Sequence, residues 1–128
     1  MTPDLPKPTD AELTILRALW RRHQATVREV ADDLNATRRT GYTTVLKLLQ
    51  IMTEKGLVTR EEAGRAHVYT PSLTEEQTQG QLVRHLLDRA FDGSASRLVQ
   101  RALAAAPADA EELSKIRRLL RDFERKNA

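Results

Sequence analysis

The stretch between Asp33 and Glu54 contains basic and hydrogen-bonding side chains but no carboxylate. Its charged residues are Arg38, Arg39 and Lys47, whereas acids and bases are interspersed through the rest of the chain. Guanidinium and ammonium groups donate hydrogen bonds to anionic oxygens, and here no neighbouring acid competes for them. The stretch therefore predicts a local positive surface suited to a polyanion. The net charge of +3 on 128 residues is too small to indicate such a partner by itself.

The apolar spacing of the same stretch predicts an amphipathic helix from about Thr40 to Lys55, ended by Gly56. Its apolar face contains Val45, Leu48, Leu49 and Met52, and its polar face contains Thr40, Thr43, Lys47 and Gln50. Lys and Gln side chains reach base edges or phosphates, and Thr offers hydroxyl and methyl contacts. This face therefore suits the major groove of a DNA duplex, and Gly41 would let the backbone approach the duplex closely.

Capping signatures, in which Thr or Asp precedes a helix and Glu or Gln follows three residues later, help to divide the chain into six predicted helices. The capping pairs are Thr9 with Glu12, Thr26 with Glu29, Thr74 with Gln77 and Asp109 with Glu112. The fifth helix follows a break at Asp92, Gly93 and Ser94. Between the third and fourth helices, Leu57 to Thr70 has the spacing of a β-hairpin with Gly64 in its turn.

Three helices followed by a hairpin are the element order of a winged helix-turn-helix. We therefore predict a mainly α protein made of two parts. Residues 1–71 form a winged-helix DNA-binding domain, with three helices and a β-hairpin wing. Residues 72–128 form a C-terminal helical dimerisation region.

The predicted DNA contacts fall into two groups. Thr43 and Lys47, one turn apart near the start of the third helix, are predicted to read bases. Tyr42 and Thr44 flank them and either add contacts or set the docking angle. Basic residues ahead of the helix and in the wing are predicted to hold phosphates. The complete predicted set is Arg38, Arg39, Thr40, Gly41, Tyr42, Thr43, Thr44, Lys47, Arg65 and His67.

Two other interpretations of the third helix remain open. Its polar face could simply be solvated, as polar helix faces usually are. Alternatively, the winged helix could be a protein-interaction module in which the basic residues are incidental. The place of the polar face on the third helix, ahead of a hairpin that carries Arg65 and His67, favours double-stranded DNA as the partner.

The C-terminal third has more apolar residues than three short helices can bury by themselves. A second copy of the chain would cover them, so we predict a homodimer. The residues predicted to form its interface are Leu82, Leu86, Phe91, Leu98, Leu119 and Phe123.

Several function classes lack their usual residues. The chain has no Cys, which excludes disulfides and thiolate metal sites and favours the cytoplasm. Its three histidines, His23, His67 and His85, are far apart in sequence, so we predict no metal site and no cofactor. We find no catalytic motif and predict that the protein is not an enzyme. No apolar run is long enough to span a bilayer, and no direct membrane binding is expected.

Three motifs resemble those of the BlaI/MecI family of penicillinase repressors in order and spacing. They are Gly41-Tyr42-Thr43-Thr44-Val45-Leu46-Lys47, Glu54-Lys55-Gly56-Leu57-Val58 and Gly64-Arg65-Ala66-His67-Val68-Tyr69. The resemblance implies a winged-helix repressor that binds an inverted-repeat operator as a homodimer. In some members a membrane sensor protease relieves repression by cutting an Asn-Phe bond in the fifth helix. Arg101 and Ala102 stand at the matching position here, so we expect a different cleavage specificity or none.

Overall fold

A computed structural model describes residues 5–36, 39–106 and 109–127. The chain divides into two compact units, Met1–Val83 and Arg84–Ala128. This division lies twelve residues beyond the predicted boundary at 71/72, inside the fourth helix. The assignment of DNA binding and dimerisation to the two sides of residue 71 stays a prediction.

The first unit contains three complete helices, the start of a fourth and a small antiparallel sheet. The helices are α1 (Asp10–Arg22), α2 (Val27–Asn35) and α3 (Tyr42–Lys55), and the strands are β1 (Ala25–Thr26), β2 (Val58–Ala63) and β3 (Ala66–Pro71). The strand order is β1-β3-β2. The predicted hairpin is confirmed, with Gly64 at φ 67° between β2 and β3. Strand β1 was not predicted, and it pairs Ala25 with Tyr69 and Thr26 with Val68.

The helix boundaries follow the capping chemistry of the sequence. Helices α1 and α2 begin with the predicted capping boxes, Thr9 with Glu12 and Thr26 with Glu29. Helix α3 ends as predicted at Gly56, whose φ of 83° is in the left-handed region that glycine adopts without strain. Its predicted start near Thr40 is two residues too early. The backbone N–H of Thr40 instead donates to Asn35 Oδ1 (2.7 Å) in the turn before the helix.

Helix α3 is held at one rotation because its apolar face enters the core of the first unit. Val45, Leu49 and Met52 are fully buried at helical spacing. They pack with side chains from α1, α2 and the sheet, namely Ile15, Leu16, Leu19, Val30, Ala31, Leu34, Leu57, Val58 and Tyr69. Trp20 lies at the edge of this core, and its Nε1–H donates to the carbonyl of Leu73 (3.0 Å). The opposite face of α3 is thereby turned to the surface.

The remaining helices are α4 (Glu75–Ala90), α5 (Ala95–Ala105) and α6 (Ala110–Lys126). Thr74 with Gln77 caps α4 and Asp109 caps α6, as predicted, and Ser94, predicted only as part of a break, caps α5. The break between α4 and α5 is at Asp92 and Gly93, which both have positive φ. Among the described residues after Thr78, none is buried. The helices of the second unit therefore have no core of their own within the single chain.

Candidate nucleic-acid interface

Helix α3 carries four of the ten predicted DNA-binding residues. Tyr42, Thr43, Thr44 and Lys47 are all exposed at the N-terminal half of the helix, and Gln50 continues the same face. Ahead of the helix, Arg39 and Gly41 are exposed and Thr40 is half-buried. Arg38 lies outside the described residues. The structure thus gathers hydrogen-bonding and cationic groups into one polar surface. On the other side of the helix, Val45, Leu49 and Met52 are buried.

The N-terminus of α3 is electropositive. The N-cap residue of α3 is Gly41, which has no side chain to cap the helix. The first turn of α3 contains no acidic residue. The first N–H groups of a helix have no partner inside the helix and attract anions. A Cβ added to Gly41 would meet no atom of the described chain within 4 Å, and its φ of −70° does not require glycine. Neither the backbone geometry nor the neighbouring described residues therefore require a glycine at this position.

Arg28 belongs to this surface, although sequence reasoning missed it. It is exposed on α2, and its guanidinium carbon lies 5.1 Å from the centre of the Tyr42 ring, within the range of a cation–π contact. The sequence offers no signal for this pair. Arg28 is one of many interspersed charges, and its meeting with Tyr42 depends on the turn between α2 and α3.

The wing places its two predicted contacts differently. Arg65 is exposed beside the turn at Gly64, whereas His67 on β3 is half-buried and its Nδ1 has no hydrogen-bond partner in the described chain. Both residues line a cleft of about 180 Å³ together with Arg28 and Tyr42. The wing, α2 and the start of α3 therefore meet at one basic cleft.

An ion pair between Lys55 and a buried carboxylate anchors the far end of α3. The Lys55 ammonium donates to Glu12 Oε2 (2.8 Å), and Glu12 on α1 is only 1% exposed. Burial by itself raises the pKa of the Glu12 carboxyl. Hydrogen bonds from Lys55 and Thr9 outweigh it by stabilising the charged form, so the pKa lies below its ordinary value. This pair joins the last turn of α3 to the first turn of α1.

A second ion pair fixes α2 against α1. The Arg22 guanidinium donates to both carboxylate oxygens of Asp33 (2.7 and 2.8 Å) and to Glu29 (3.1 Å). The hydrogen bond from Arg22 lowers the pKa of the Asp33 carboxyl. Because these groups are partly exposed, the pairs contribute modestly to stability and mainly set the relative position of the two helices.

The predicted dimerisation residues lie on or near the surface of the single chain. Leu86, Leu119 and Phe123 are 46%, 57% and 63% exposed, and Leu82, Phe91 and Leu98 are half-buried. Exposed apolar patches of this kind are typical of interaction surfaces.

The described residues also bear on metals and membranes. They contain no group of three or more His, Cys, Asp or Glu side chains placed to hold a metal ion. No helix within the described ranges is both long and apolar enough to cross a bilayer.

The fold and this surface define a winged-helix DNA-binding protein, and comparison with known proteins gives its family. The penicillinase repressor family matches residues 8–122. Over 118 residues the chain is 25% identical to a penicillinase repressor of Bacillus licheniformis, covering 92% of each chain. Over 116 residues it is 34% identical to the transcriptional regulator BlaI of Mycobacterium tuberculosis, covering 90% of this chain and 83% of that one.

The structural comparison agrees with the sequence comparisons. The chain is similar to the solution structure of monomeric Bacillus licheniformis BlaI in complex with the blaP half-operator. The TM-score is 0.50 at 29% identity, covering 57% of this chain and 89% of that one. The chain belongs to the penicillinase repressor family. The resemblance and the fold class predicted from the sequence are confirmed.

Proposed function

We propose that this DNA-binding transcriptional repressor reads an inverted-repeat operator as a homodimer. The observation that carries the proposal is the polar face of α3, where Thr43 and Lys47 are exposed opposite fully buried Val45 and Leu49. A helix that the core fixes in this rotation presents the same hydrogen-bonding groups to every duplex, which sequence recognition requires. A solved BlaI bound to half of an operator supports the same use of the fold.

Base reading and phosphate binding belong to different residues. Thr43 and Lys47 are proposed to contact base edges, with Thr44 beside them. Arg39, Arg65 and His67 are proposed to hold phosphates, which fixes the register of the protein without selecting sequence. Arg38 has the same proposed role, although it lies outside the described residues.

The homodimer is proposed from the apolar surface of the second unit. Leu119, Leu120 and Phe123 on α6 are all more than half exposed, and Leu86 and Val99 on α4 and α5 are more than two-fifths exposed. A second copy is the expected partner, because two-fold symmetric pairing buries the same patch on both chains. Such a pair also matches the two halves of an inverted repeat.

Selection of bound duplexes from a random pool tests operator recognition. The expected result is enrichment of an inverted repeat whose two half-sites are one or two helical turns of DNA apart. The affinity should also fall steeply with salt, because binding releases counterions from the phosphates. No enrichment and a flat salt dependence would support the protein-interaction module instead.

The route by which repression is relieved is a separate proposal. The family is one of repressors rather than enzymes, so a membrane sensor or protease would supply any cleavage. Arg101 and Ala102 lie in α5, and both are exposed. We propose that a cleavage specificity for Asn-Phe does not act at this bond, and the cytoplasm stays the predicted compartment.

A further inference from the structure

The basic cleft between the wing and the start of α3 has the chemistry of an anion site. We define it by Arg28, Tyr42, Arg65 and His67, and the other residues that line it are Thr26, Val27, Leu46, Ala66 and Tyr69. None of these described lining residues is acidic. Glu62, opposite His67 in the strand register, is exposed and does not line the cleft.

We propose that this cleft seats one phosphate of the operator backbone, held jointly by Arg28 and Arg65. The inference rests on the proposed function and adds Arg28, on α2, to the residues that contact DNA. A water occupies about 30 Å³ of liquid, so a cleft of about 180 Å³ has room for a phosphodiester group.

Arg28 is placed for this role by its contact with Tyr42, whose ring centre lies 5.1 Å from the guanidinium carbon. A planar guanidinium can donate two parallel N–H groups to two oxygens of a phosphate. No carboxylate of the described chain forms an ion pair with Arg28. Arg22 on the neighbouring helix, in contrast, forms ion pairs with Glu29 and Asp33. The charge of Arg28 therefore stays available to a ligand. Tyr42 acts as a positioning residue through Arg28.

The strand period brings the wing residues to the same cleft. His67 and Tyr69 are two residues apart on β3, so they share one face of the sheet. Tyr69 is buried in the core on that face, and His67 lies beside the cleft. The buried Nδ1 of His67 has no hydrogen-bond partner in the described chain, and the imidazole lines the cleft beside Arg65. Arg65 completes the cleft from the turn.

A shared phosphate makes a quantitative prediction about salt dependence. Each phosphate neutralised adds about 0.9 to the slope of log K against log salt concentration. Arg28→Gln and Arg65→Gln should each lower the slope by less than 0.9, because the remaining arginine still pairs with the phosphate. The double variant should lower it by about 0.9, equally on the selected operator and on an unrelated duplex.

The matched control is Arg17→Gln, which removes the same charge from the exposed surface of α1. It should leave the slope unchanged. Tyr42→Ala should weaken binding in the wild-type background but not in the Arg28→Gln background, whereas Tyr42→Phe should bind as wild type. Circular dichroism and thermal unfolding of each variant check that the fold is retained.

Three results overturn the inference. The first is a double variant whose salt slope is unchanged. The second is a double variant whose salt slope falls by about twice the expected amount, which indicates two separate phosphates. The third is an equal effect of Tyr42→Ala on binding in both backgrounds. A wild-type protein without a steep salt slope would instead contradict the proposed function itself. The two failures are therefore distinguishable.

Discussion

Lys47 lies one turn after Thr43 on the exposed face of α3, where its ammonium group can reach a base edge. Replacing it with Ala should weaken binding to the selected operator by roughly 1–3 kcal/mol and affect an unrelated duplex less. Titrations of both duplexes at one salt concentration measure this difference. Lys7→Ala, which removes an exposed lysine ahead of α1, is the control. Equal losses on the two duplexes would show that Lys47 binds phosphate rather than bases.

Gly41 allows stability and DNA binding to be separated. A serine at an N-cap accepts a hydrogen bond from an early helical N–H, so Gly41→Ser should leave the free energy of unfolding unchanged or raise it by a few tenths of a kcal/mol. The new side chain has open space within the protein. It should nevertheless obstruct the duplex and lower operator affinity.

Urea unfolding and operator titration on the same preparation compare the two properties of Gly41→Ser. Thr14→Ser, an exposed change on α1, is the control. If Gly41→Ser bound the operator as tightly as wild type, close approach of DNA to this residue would be wrong.

At the scale of elements, the Glu12–Lys55 pair makes the stability of the first unit depend on pH. The folded-state pKa of Glu12 is lowered. The stabilisation is therefore present above the unfolded-state pKa of about 4.3 and is lost as the pH falls through the folded-state value. Glu12→Gln should destabilise the unit by roughly 1–3 kcal/mol at pH 7, and the difference from wild type should shrink below about pH 4.

Urea unfolding at several pH values measures the contribution of Glu12. The control is Glu54→Gln, an exposed change on α3 that should shift stability little at either end of the range. A difference between wild type and Glu12→Gln that stayed constant from pH 7 to pH 3 would contradict the pH dependence.

The elements that could be predicted are those whose signals are local. Thr9 with Glu12 and Thr26 with Glu29 mark helix starts within four residues, and Gly56 marks a helix end by itself. Strand β1 has only two residues, Ala25–Thr26, so no alternation of apolar and polar side chains could show it. Its existence depends on Tyr69 more than forty positions away. The early start predicted for α3 has a similar cause, because Thr40 makes its hydrogen bond back to Asn35.

At the scale of the whole molecule, the candidate site also has one part that local sequence signals predict and another that depends on contacts between elements. The polar face of α3 follows from the helical period, so Thr43, Lys47 and the buried Val45 could be placed from sequence. The Arg28–Tyr42 contact joins two helices across a turn, and nothing in the sequence fixes the angle of that turn. The apolar excess after the wing could be counted from the sequence, whereas the exposure of each apolar side chain depends on how the helices of the second unit pack.

Dimerisation is the property by which the second unit should affect DNA binding. Leu119 and Phe123 are four residues apart on α6, so they lie on one face of the helix, and both are more than half exposed in the single chain. Full burial of a Leu or Phe side chain stabilises by roughly 1.5–3 kcal/mol. Replacing both with Glu should therefore dissociate the dimer, because two carboxylates from each copy would have to enter an apolar interface.

Sedimentation equilibrium should give a dimer for the wild-type chain and a monomer for Leu119→Glu with Phe123→Glu. Arg118→Glu introduces the same charge on the opposite face of α6 and should remain dimeric. The monomeric variant should keep the winged-helix fold, lose affinity for the full inverted repeat and bind a single half-site as wild type does, because linkage of two binding units raises affinity without new contacts. A wild-type chain that is monomeric at micromolar concentration, or a double variant that still dimerises, would show that these residues do not form the interface.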